Sequence, residues 1–378
     1  MPHDGVIGPH SHGPDDPDSH RHDDGHGHAH HAHPHDHAAP SHRAPPTRRA
    51  ILAAGTGLLA PFAPIRAEAQ IVERMARAAM DWLAELDAPR RERAVVSFGD
   101  GERENWHYVP RSRRGLALRD MSESQRARAM ALLDSGLGSA GVARIQGVRH
   151  LEGVLRQRQG AWRDPDNYAL TIFGAPGAYP WGWRFEGHHL SLNVAAIAPD
   201  RIAVTPAFWG ANPARTSDGF RLMGAVEDLG RALVRGLPDS QRRTATIAER
   251  SLGDIVAGPG RERDLGAPRG LALADMDERA RNRALAIVGG FLDALAPDIA
   301  AMQKRRVQEV GVATLRFAWA GPLDDGRAYY FRLQGAATLI ELDNSQDDAN
   351  HVHSVWRDLV ADFGRDALGD HYRRQPHR

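Results

Sequence analysis

The stretch Arg114-Gly-Leu-Ala-Leu-Arg-Asp-Met121 is repeated almost unchanged as Arg269-Gly-Leu-Ala-Leu-Ala-Asp-Met276. Each copy is followed by Ser or Asp, then by Glu and a segment rich in arginine and alanine, which is typical of a helix start. The pattern predicts amphipathic helices over Glu123–Leu133 and Glu278–Leu295. Because similar segments then follow in the same order, the sequence indicates an internal duplication.

Segments with the composition of β-strands follow each predicted helix. The strands that we predict are Tyr168–Phe173, Trp183–Val194, Thr314–Trp319 and Ala328–Leu342. Gly321-Pro-Leu-Asp-Asp-Gly326 is a good hairpin loop between the last two segments. The sequence therefore predicts an α+β fold of two related lobes, with repeats over about residues 114–194 and 269–342. Each lobe is expected to be a helix followed by an antiparallel β block.

The composition excludes several classes of protein. The chain of 378 residues has no cysteine, so it can form neither a disulfide nor a thiolate metal site. Lys+Arg and Asp+Glu balance at 48 each, which argues against a nucleic-acid partner bound through phosphate contacts. Residues 70–378 are long enough for a single α+β domain that contains both repeats.

The N-terminal segment is dominated by histidine and lacks the large apolar residues that a core requires. We predict a disordered leader over residues 1–46. Clustered imidazoles bind zinc, copper or nickel weakly even in a flexible chain, so a metal-scavenging role is one interpretation. A solvated tail, or a start codon assigned upstream of the true one, is the other.

Residues 47–69 have the three parts of a twin-arginine signal peptide. Thr47-Arg-Arg-Ala-Ile-Leu52 begins an apolar stretch, and Ala67-Glu-Ala69 is a suitable cleavage site. The apolar stretch is too short for a stable membrane span. We therefore expect recognition by the export machinery, a mature chain that starts near Gln70 without a membrane span, and a periplasmic or secreted location.

Two segments concentrate side chains that can bind a ligand or a metal. They are Trp181-Gly-Trp-Arg-Phe-Glu-Gly-His-His-Leu-Ser-Leu-Asn193 and Asn350-His-Val-His-Ser-Val-Trp-Arg-Asp358. Where the first repeat has His188 and His189, the second has Ala336 and Ala337. The histidines are thus additions to a scaffold that does not need them, which favours a functional site.

If Trp183–Val194 is one continuous strand, its side chains alternate between two faces. Glu186 and His188 then share one face, while His189, Ser191 and Asn193 share the other. In the second segment, Asn350 is a plausible N-cap for a helical stretch over Ser354–Phe363. His351 and His353 share a face only if the chain there is extended.

Two chemistries fit these residues. In the first, His188, His189, His351 and His353 bind a divalent metal, Zn, Cu or Fe, with Glu186 as an oxygen ligand. Such a centre has an open position for water activation in a hydrolase-like enzyme or an oxidoreductase. In the second, catalysis requires no metal. His189 is then a general base, oriented by Asp358 or Asp362, that acts on a sugar or an ester. The residues expected to line the site are Trp183, Ser191, Asn193, Asn350 and Arg357.

Two alternatives without an enzyme also fit. Tryptophans around polar groups suit a small-molecule or carbohydrate ligand, although buried tryptophans are usually core residues. Histidine, asparagine and tryptophan can also form a buried hydrogen-bond network that only holds the lobes together, with Arg357 and Asp358 as a salt bridge.

Several of these elements, taken together, resemble a bacterial family known only as domain of unknown function 3500. The similarity extends over about residues 70–373, and the two histidine elements are specific in combination. The resemblance implies an exported protein and no established reaction, and it does not include the histidine-rich leader. The matching elements are Arg-Gly-Leu-x-Leu with its helix, Tyr168-Ala-Leu-Thr-Ile-Phe-Gly174, Trp181-x-Trp-x-x-x-Gly-His-His-x-Ser-Leu-Asn193, Asn350-His-x-His-x-Val-Trp-Arg-Asp358, Asp362-Phe-Gly364 and His371-Tyr372.

Overall fold

The fold was determined as a computed structural model that describes residues 62–365. The helices in this range are α1 (Phe62–Ala84), α2 (Ala88–Ala94), α3 (Glu123–Gln159), α4 (Gly224–Gly236), α5 (Asp239–Ala245), α6 (Glu278–Leu292) and α7 (Pro297–Gly311). Both helices that follow the repeated motif begin at a side-chain cap. Ser122 caps α3 in a capping box with Gln125, and Asp277 caps α6.

The strands range in length from two residues to ten. They are β1 (Val95–Val96), β2 (Leu116–Ala117), β3 (Ala169–Ala175), β4 (Ala178–Gly187), β5 (Leu190–Ala198), β6 (Arg201–Ala203), β7 (Ala207–Ala211), β8 (Thr246–Ala248), β9 (Leu271–Ala272), β10 (Arg316–Ala320), β11 (Tyr329–Gln334), β12 (Thr338–Gln346) and β13 (His351–Asp358).

All of these strands belong to one mixed sheet. Its order is β1-β3-β4-β5-β7-β13-β12-β11-β10-β8, with β2, β6 and β9 paired beside β3, β5 and β10. The two ends of the sheet are alike, because β1 pairs with β3 in parallel and β8 pairs with β10 in parallel. The two halves meet where β7 pairs with β13 in antiparallel orientation. The predicted α+β class is confirmed.

The two faces of the sheet are covered differently. On one face, apolar side chains such as Trp183, Leu192 and Trp356 join the main core with residues of the helices. On the other face, Phe208 and Val355 pack against residues of two loops. We call these the cover loops: the first joins β1 to β2 (residues 97–115), and the second joins β8 to β9 (residues 249–270).

Several local predictions were wrong. Ala328–Leu342 is not one strand, because β11 and β12 form an antiparallel hairpin within it. Trp183–Val194 is not a continuous strand, because β4 and β5 form a hairpin whose turn is His188-His189, with Gly187 paired to Leu190. Glu186 is consequently paired with Ser191 and shares its face. Asn350 does not cap a helix over Ser354–Phe363, because the segment forms β13. The alternation of Val352, Ser354 and Trp356 with the histidines suits a strand that is buried on both faces.

The predicted leader (residues 1–46) and most of the predicted signal peptide (residues 47–69) lie outside the described residues, so both stay predictions. Ala69 and Gln70, on either side of the predicted cleavage site, lie within α1. Among the residues that the structure describes, none of the helices has the length and apolar character needed to cross a membrane.

Candidate metal centre

Three imidazoles converge on the face of the sheet that the cover loops close. His351 and His353 project from β13, and His189 projects from the β4–β5 turn. The Nε2 atom of His189 lies 2.8 Å from Nε2 of His351 and 3.3 Å from Nε2 of His353. All three donor atoms lie within 4.8 Å of one another. A tetrahedral zinc ion requires ligand nitrogens about 3.4 Å apart. The separation between His189 and His353 is close to that value, and the separation between His189 and His351 is shorter.

Carboxylates hold the outer nitrogens of two of these rings. Nδ1 of His353 lies 2.7 Å from Oδ1 of Asp254, and Nδ1 of His351 lies 2.9 Å from Oδ2 of Asp347. The amide of Asn212 donates to Asp347 at 2.8 Å and also lies 3.1 Å from Nδ1 of His351. A carboxylate on Nδ1 fixes the tautomer in which Nε2 carries the free lone pair, as metal-binding histidines usually require.

The backbone holds His189 in a conformation that few non-glycine residues adopt. Its φ is 61°, in the left-handed region. Its N–H donates to the carbonyl of Tyr108 at 2.8 Å, and its carbonyl accepts from the N–H of Gly210, also at 2.8 Å. A Cβ on Gly210 would lie 2.9 Å from Cβ of His189, so glycine at this position makes room for the histidine.

The two cover loops meet beside His353. The hydroxyl of Tyr108, from the first loop, donates to Oδ2 of Asp254, from the second, at 3.1 Å. The Tyr108 ring stacks on Phe208 with centroids 4.0 Å apart and meets the ring of His353 edge-on. Asp254 is therefore fixed from both sides, and the histidine that it orients is fixed with it.

The turn before β13 carries the strain expected at a functional site. Asp347, Asp348 and Ala349 all have positive φ values, of 49°, 55° and 61°. Non-glycine residues in this region cost on the order of 1–3 kcal/mol each, and surrounding contacts must compensate. Here the turn places Asp347 against His351, and the side chain of Asn350 accepts from the N–H of Arg215.

Burial lowers the pKa of two of the three imidazoles, those of His189 and His351. It is the main reason why the pKa of His189 lies well below its ordinary value, and the neighbouring histidines add to the effect. Burial and the proximity of His353 lower the pKa of His351 to about 4. For Asp254 burial acts in the opposite direction, but hydrogen bonds from His353, the Ile255 N–H and Tyr108 outweigh it and lower the pKa. Neutral imidazoles beside ionised carboxylates are the forms that bind a cation.

The lowered pKa of His351 predicts that acid destabilises the metal-free protein. The folded state resists protonation below the unfolded pKa near 6.5, so stability is fully present above that pH and is lost as the pH falls towards 4. Between pH 7.5 and 5 we expect His351 alone to account for about 2 kcal/mol. Urea unfolding at both pH values measures the loss, and the variant His351→Asn should lose less. Equal losses in both proteins would contradict this assignment.

Glu186, which the sequence placed among the metal ligands, is held by arginines instead. Its Oε1 lies 3.0 Å from Nε of Arg184, its Oε2 lies 3.9 Å from Nε of Arg113, and Oε2 also accepts from the N–H of His107. Burial, only partly offset by the two arginines, raises its pKa. Within the described residues, the group that can hold a metal contains His189, His351 and His353 and not Glu186.

His188, the other histidine of the turn, lies beside this group rather than in it. Its Nδ1 is 2.6 Å from Oε2 of Glu152, and its ring stacks on that of His189 with centroids 3.7 Å apart. Burial lowers its pKa, although Glu152 acts in the opposite direction. The two adjacent histidines therefore have different surroundings.

The predicted acid–base partners of His189 bind arginines. Asp358 accepts from Nε of Arg306, and Asp362 accepts from Nε of Arg357 at 2.7 Å. The proposed Arg357–Asp358 salt bridge is thus replaced by two separate pairs. Asp358 is also an odd number of positions from His353 along β13, so the two side chains project from opposite faces of the sheet.

The remaining predicted lining residues are divided between the two faces. Trp183 lies in the main core on the helical face, where its Nε1 contacts the sulfur of Met75. Ser191 and Asn193 are buried on the face that the cover loops close, and Asn193 donates to the carbonyl of Pro206 at 2.9 Å. Trp183 therefore cannot stack on a carbohydrate ligand, because its ring is buried in the main core.

Three residues of the centre were not predicted from the sequence: Tyr108, Asp254 and Asp347. Asp347 carried a usable signal, because Asp-Asp-Ala-Asn directly precedes His351 and such a turn brings its carboxylate back onto the strand. Tyr108 and Asp254 lie in loops of ordinary composition, and only the pairing of the two halves brings them to the histidines.

Comparison with known proteins places the chain in a family. The profile described as "Protein of unknown function (DUF3500)" matches residues 68–365. The chain belongs to the DUF3500 family. This match confirms the resemblance drawn from the sequence, and it covers every residue of the histidine centre. Searches of curated proteins and of solved structures found no match.

Proposed function

We propose that this DUF3500 protein is a metal-dependent enzyme whose centre is formed by His189, His351 and His353. One observation carries the proposal: three Nε2 atoms converge while carboxylates occupy Nδ1 of two of the rings. Orienting three buried imidazoles towards one point has a cost in desolvation that an apolar core would avoid. A cation bound at that point offsets the cost.

The charges around the centre favour a divalent ion. Three neutral imidazoles contribute no charge, whereas Asp254 and Asp347, each bonded to a ligand ring, contribute one negative charge apiece. The ion and its carboxylates then sum to zero, which suits a buried site. Cysteine is absent from the chain, and an all-imidazole donor set suits Zn, Cu or Fe rather than a metal that requires thiolate ligands.

Three protein ligands leave one position of a tetrahedral ion open. In enzymes with such centres the ion lowers the pKa of a bound water to about 7, which makes it a nucleophile at neutral pH. The chain's own residues supply orientation and shielding: Asp254 and Asp347 fix two ligand rings, and Tyr108 encloses one side. The side chain of His351 is 11% exposed and Asp347 is 61% exposed, so a substrate would approach from their side.

The location of the ligands supports a functional role. We infer that the two halves of the sheet descend from one duplicated unit, because the repeated motif, the parallel end strands and the β4–β5 and β11–β12 hairpins recur in the same order. In the second hairpin Gly335 bonds Thr338 across the turn Ala336-Ala337, so the fold forms this turn without histidine. The imidazoles at the equivalent positions of the first half thus serve another purpose.

A second candidate is a buried hydrogen-bond network without metal. The 2.8 Å between Nε2 of His189 and Nε2 of His351 is itself a hydrogen-bond distance if one ring carries a proton there. In this arrangement the histidines would join the two halves of the sheet and have no catalytic role. The two candidates differ in what happens when a metal is offered and then removed.

The test uses a tag-free chain that begins at residue 62, where α1 begins, so that the histidine-rich segment contributes no metal. After equilibration with zinc and washing, we expect elemental analysis to find about one ion per chain. With the metal at a hundredfold excess over its Kd, the free energy of unfolding should be about 2.7 kcal/mol higher than after a chelator has removed the metal. Hydrolysis of activated esters should fall with the metal content and return on reloading.

The contrary results are distinct. If washed protein holds no metal and unfolds identically with and without zinc, the hydrogen-bond network is the better account. If metal binds but no hydrolysis follows, the centre is retained and the hydrolytic role is lost. Copper and iron loading with an assay for oxidation then tests the oxidoreductase alternative.

A further inference from the structure

The three rings of the proposed centre are not supported in the same way. His351 and His353 are oriented through Nδ1 by carboxylates. Among residues 62–365, Nδ1 of His189 has no carboxylate partner, so no hydrogen bond of that kind opposes rotation of the ring about χ2, and the ring's polar contacts are made by Nε2. Because that rotation would carry Nε2 away from the other two donors, another group must fix the plane of the ring.

The ring of His188 is the group in position to do so. The two imidazoles stack with centroids 3.7 Å apart and planes inclined by 28°. Stacked aromatic pairs contribute roughly 0.5–1.5 kcal/mol beyond the area they bury. On the other side, Gly210 limits His189, since a Cβ there would lie 3.0 Å from Cδ2 of the ring. His189 is thereby confined between His188 and the backbone of β7.

His188 is itself held firmly enough to act as a support. Its Nδ1 is bonded to Glu152, and a guanidinium nitrogen of Arg163 lies 2.9 Å from the same atom. Its carbonyl accepts from the hydroxyl of Tyr168 at 3.0 Å. Gly187 permits this approach, because a Cβ there would lie 2.2 Å from the Tyr168 ring.

The cost of this arrangement argues against a merely structural role. Glu152 is 5% exposed and Arg163 is 8% exposed, so a carboxylate and a guanidinium have both been desolvated to hold one imidazole. The equivalent turn in the second half is Ala336-Ala337 and has no ring at all. The turn Ala336-Ala337 therefore has no ring that a buried carboxylate and guanidinium would need to hold.

We propose that His188 is a positioning residue, held by Glu152 and Arg163, that fixes the imidazole of His189 by stacking. It does for His189 what Asp254 and Asp347 do for the other two rings. The inference rests on the proposed metal centre, and it gives His188 a role other than that of a metal ligand. A ring at position 188, rather than a nitrogen donor, is what the centre requires.

The experiment compares His188→Ala with His188→Phe in the full chain. Co²⁺ is the probe, because a tetrahedral site absorbs strongly in the visible range whereas weak hydrated sites on a histidine-rich segment do not. We expect His188→Ala to weaken Co²⁺ binding roughly 10–100-fold, the usual effect of losing a group that orients a ligand. His188→Phe, which retains a flat ring, should recover binding to within about threefold of the wild type. His107→Ala, a nearby histidine outside the stack, is the matched control.

The outcomes separate the role of His188 from the existence of the centre. Wild-type affinity in His188→Ala would overturn the proposal, and so would a phenylalanine variant no better than alanine. A loss of the tetrahedral spectrum in both variants would assign His188 as a ligand.

If the wild type takes up no Co²⁺, the proposed function fails, and the position of the His189 ring is then followed by NMR in the metal-free protein. The contact between Cδ2–H of His189 and Gly210 Hα should be strong in the wild type and His188→Phe and weak in His188→Ala, and an unchanged contact would overturn the positioning role.

Discussion

Replacing His353 with alanine is expected to reduce the bound divalent metal from about one ion per chain to a trace. Three ligands and a water are the minimum for the proposed centre, and His353 also holds Asp254, whose pairing with Tyr108 joins the two cover loops. Its removal thus eliminates a donor and leaves the partly buried carboxylate of Asp254 without its histidine partner. The measurement is elemental analysis of the washed, tag-free chain, with circular dichroism to verify that the fold is retained.

The control for this substitution is His150→Ala. His150 is an exposed histidine whose ring contacts Phe220, far along the chain from the centre. We expect it to keep the full metal content, since it lies outside the group that can hold an ion. If both variants lose metal equally, or if neither does, the ion is bound elsewhere and the three-histidine assignment is wrong.

Replacing Arg184 with methionine should cause the largest loss of stability, about 3–5 kcal/mol. The Arg184 side chain is fully buried, and it donates to the Glu102 carbonyl and pairs with the carboxylates of Glu102 and Glu186. Its removal leaves Glu186 buried with only Arg113, at 3.9 Å, to offset its charge. It also removes one of the contacts that hold the first cover loop to the sheet. Chemical denaturation of the metal-free protein measures the change in the free energy of unfolding.

A matched surface substitution calibrates this effect. Arg128 is half exposed and lies 3.8 Å from Glu85, so Arg128→Met should cost less than about 1 kcal/mol. Similar losses in the two variants would mean that the buried ion pairs contribute no more than an exposed one.

The same network provides a test of Glu186. If Glu186 only anchors the cover loop, Glu186→Gln should lose stability while keeping its full metal content, measured in the same preparations. If Glu186→Gln binds no metal but remains folded, the sequence-based assignment of Glu186 as a ligand would be restored and the arginine contacts would need another explanation.

The sequence revealed the histidine clusters because histidine is rare outside the N-terminal segment, and because the second repeat lacks His188 and His189. It could not show that His188 and His189 have different surroundings. His-His is an unusual hairpin turn, since turns with positive φ usually contain glycine or asparagine. Assigning one continuous strand therefore placed Glu186 with His188, whereas pairing across the hairpin places it with Ser191.

The partners of the three histidines could not be predicted from the sequence for a different reason. Asp254 is 99 positions from His353, and Tyr108 is 146 positions from Asp254. Aspartate and tyrosine in loops of ordinary composition carry no local signal. They meet only because a long sheet, with its two halves joined at β7 and β13, brings both cover loops over the same strand.

The junction of β7 and β13 has a consequence for biosynthesis. His189 and His353 are 164 positions apart, so at 5–20 residues per second a ribosome needs roughly 8–30 s to complete the donor set after His189 has been made. A nascent first half presents a single imidazole of the centre and lacks the other two. The proposed metal centre is therefore complete only once β13 pairs with β7. An ion bound at that step would also stabilise the pairing of the two halves of the sheet.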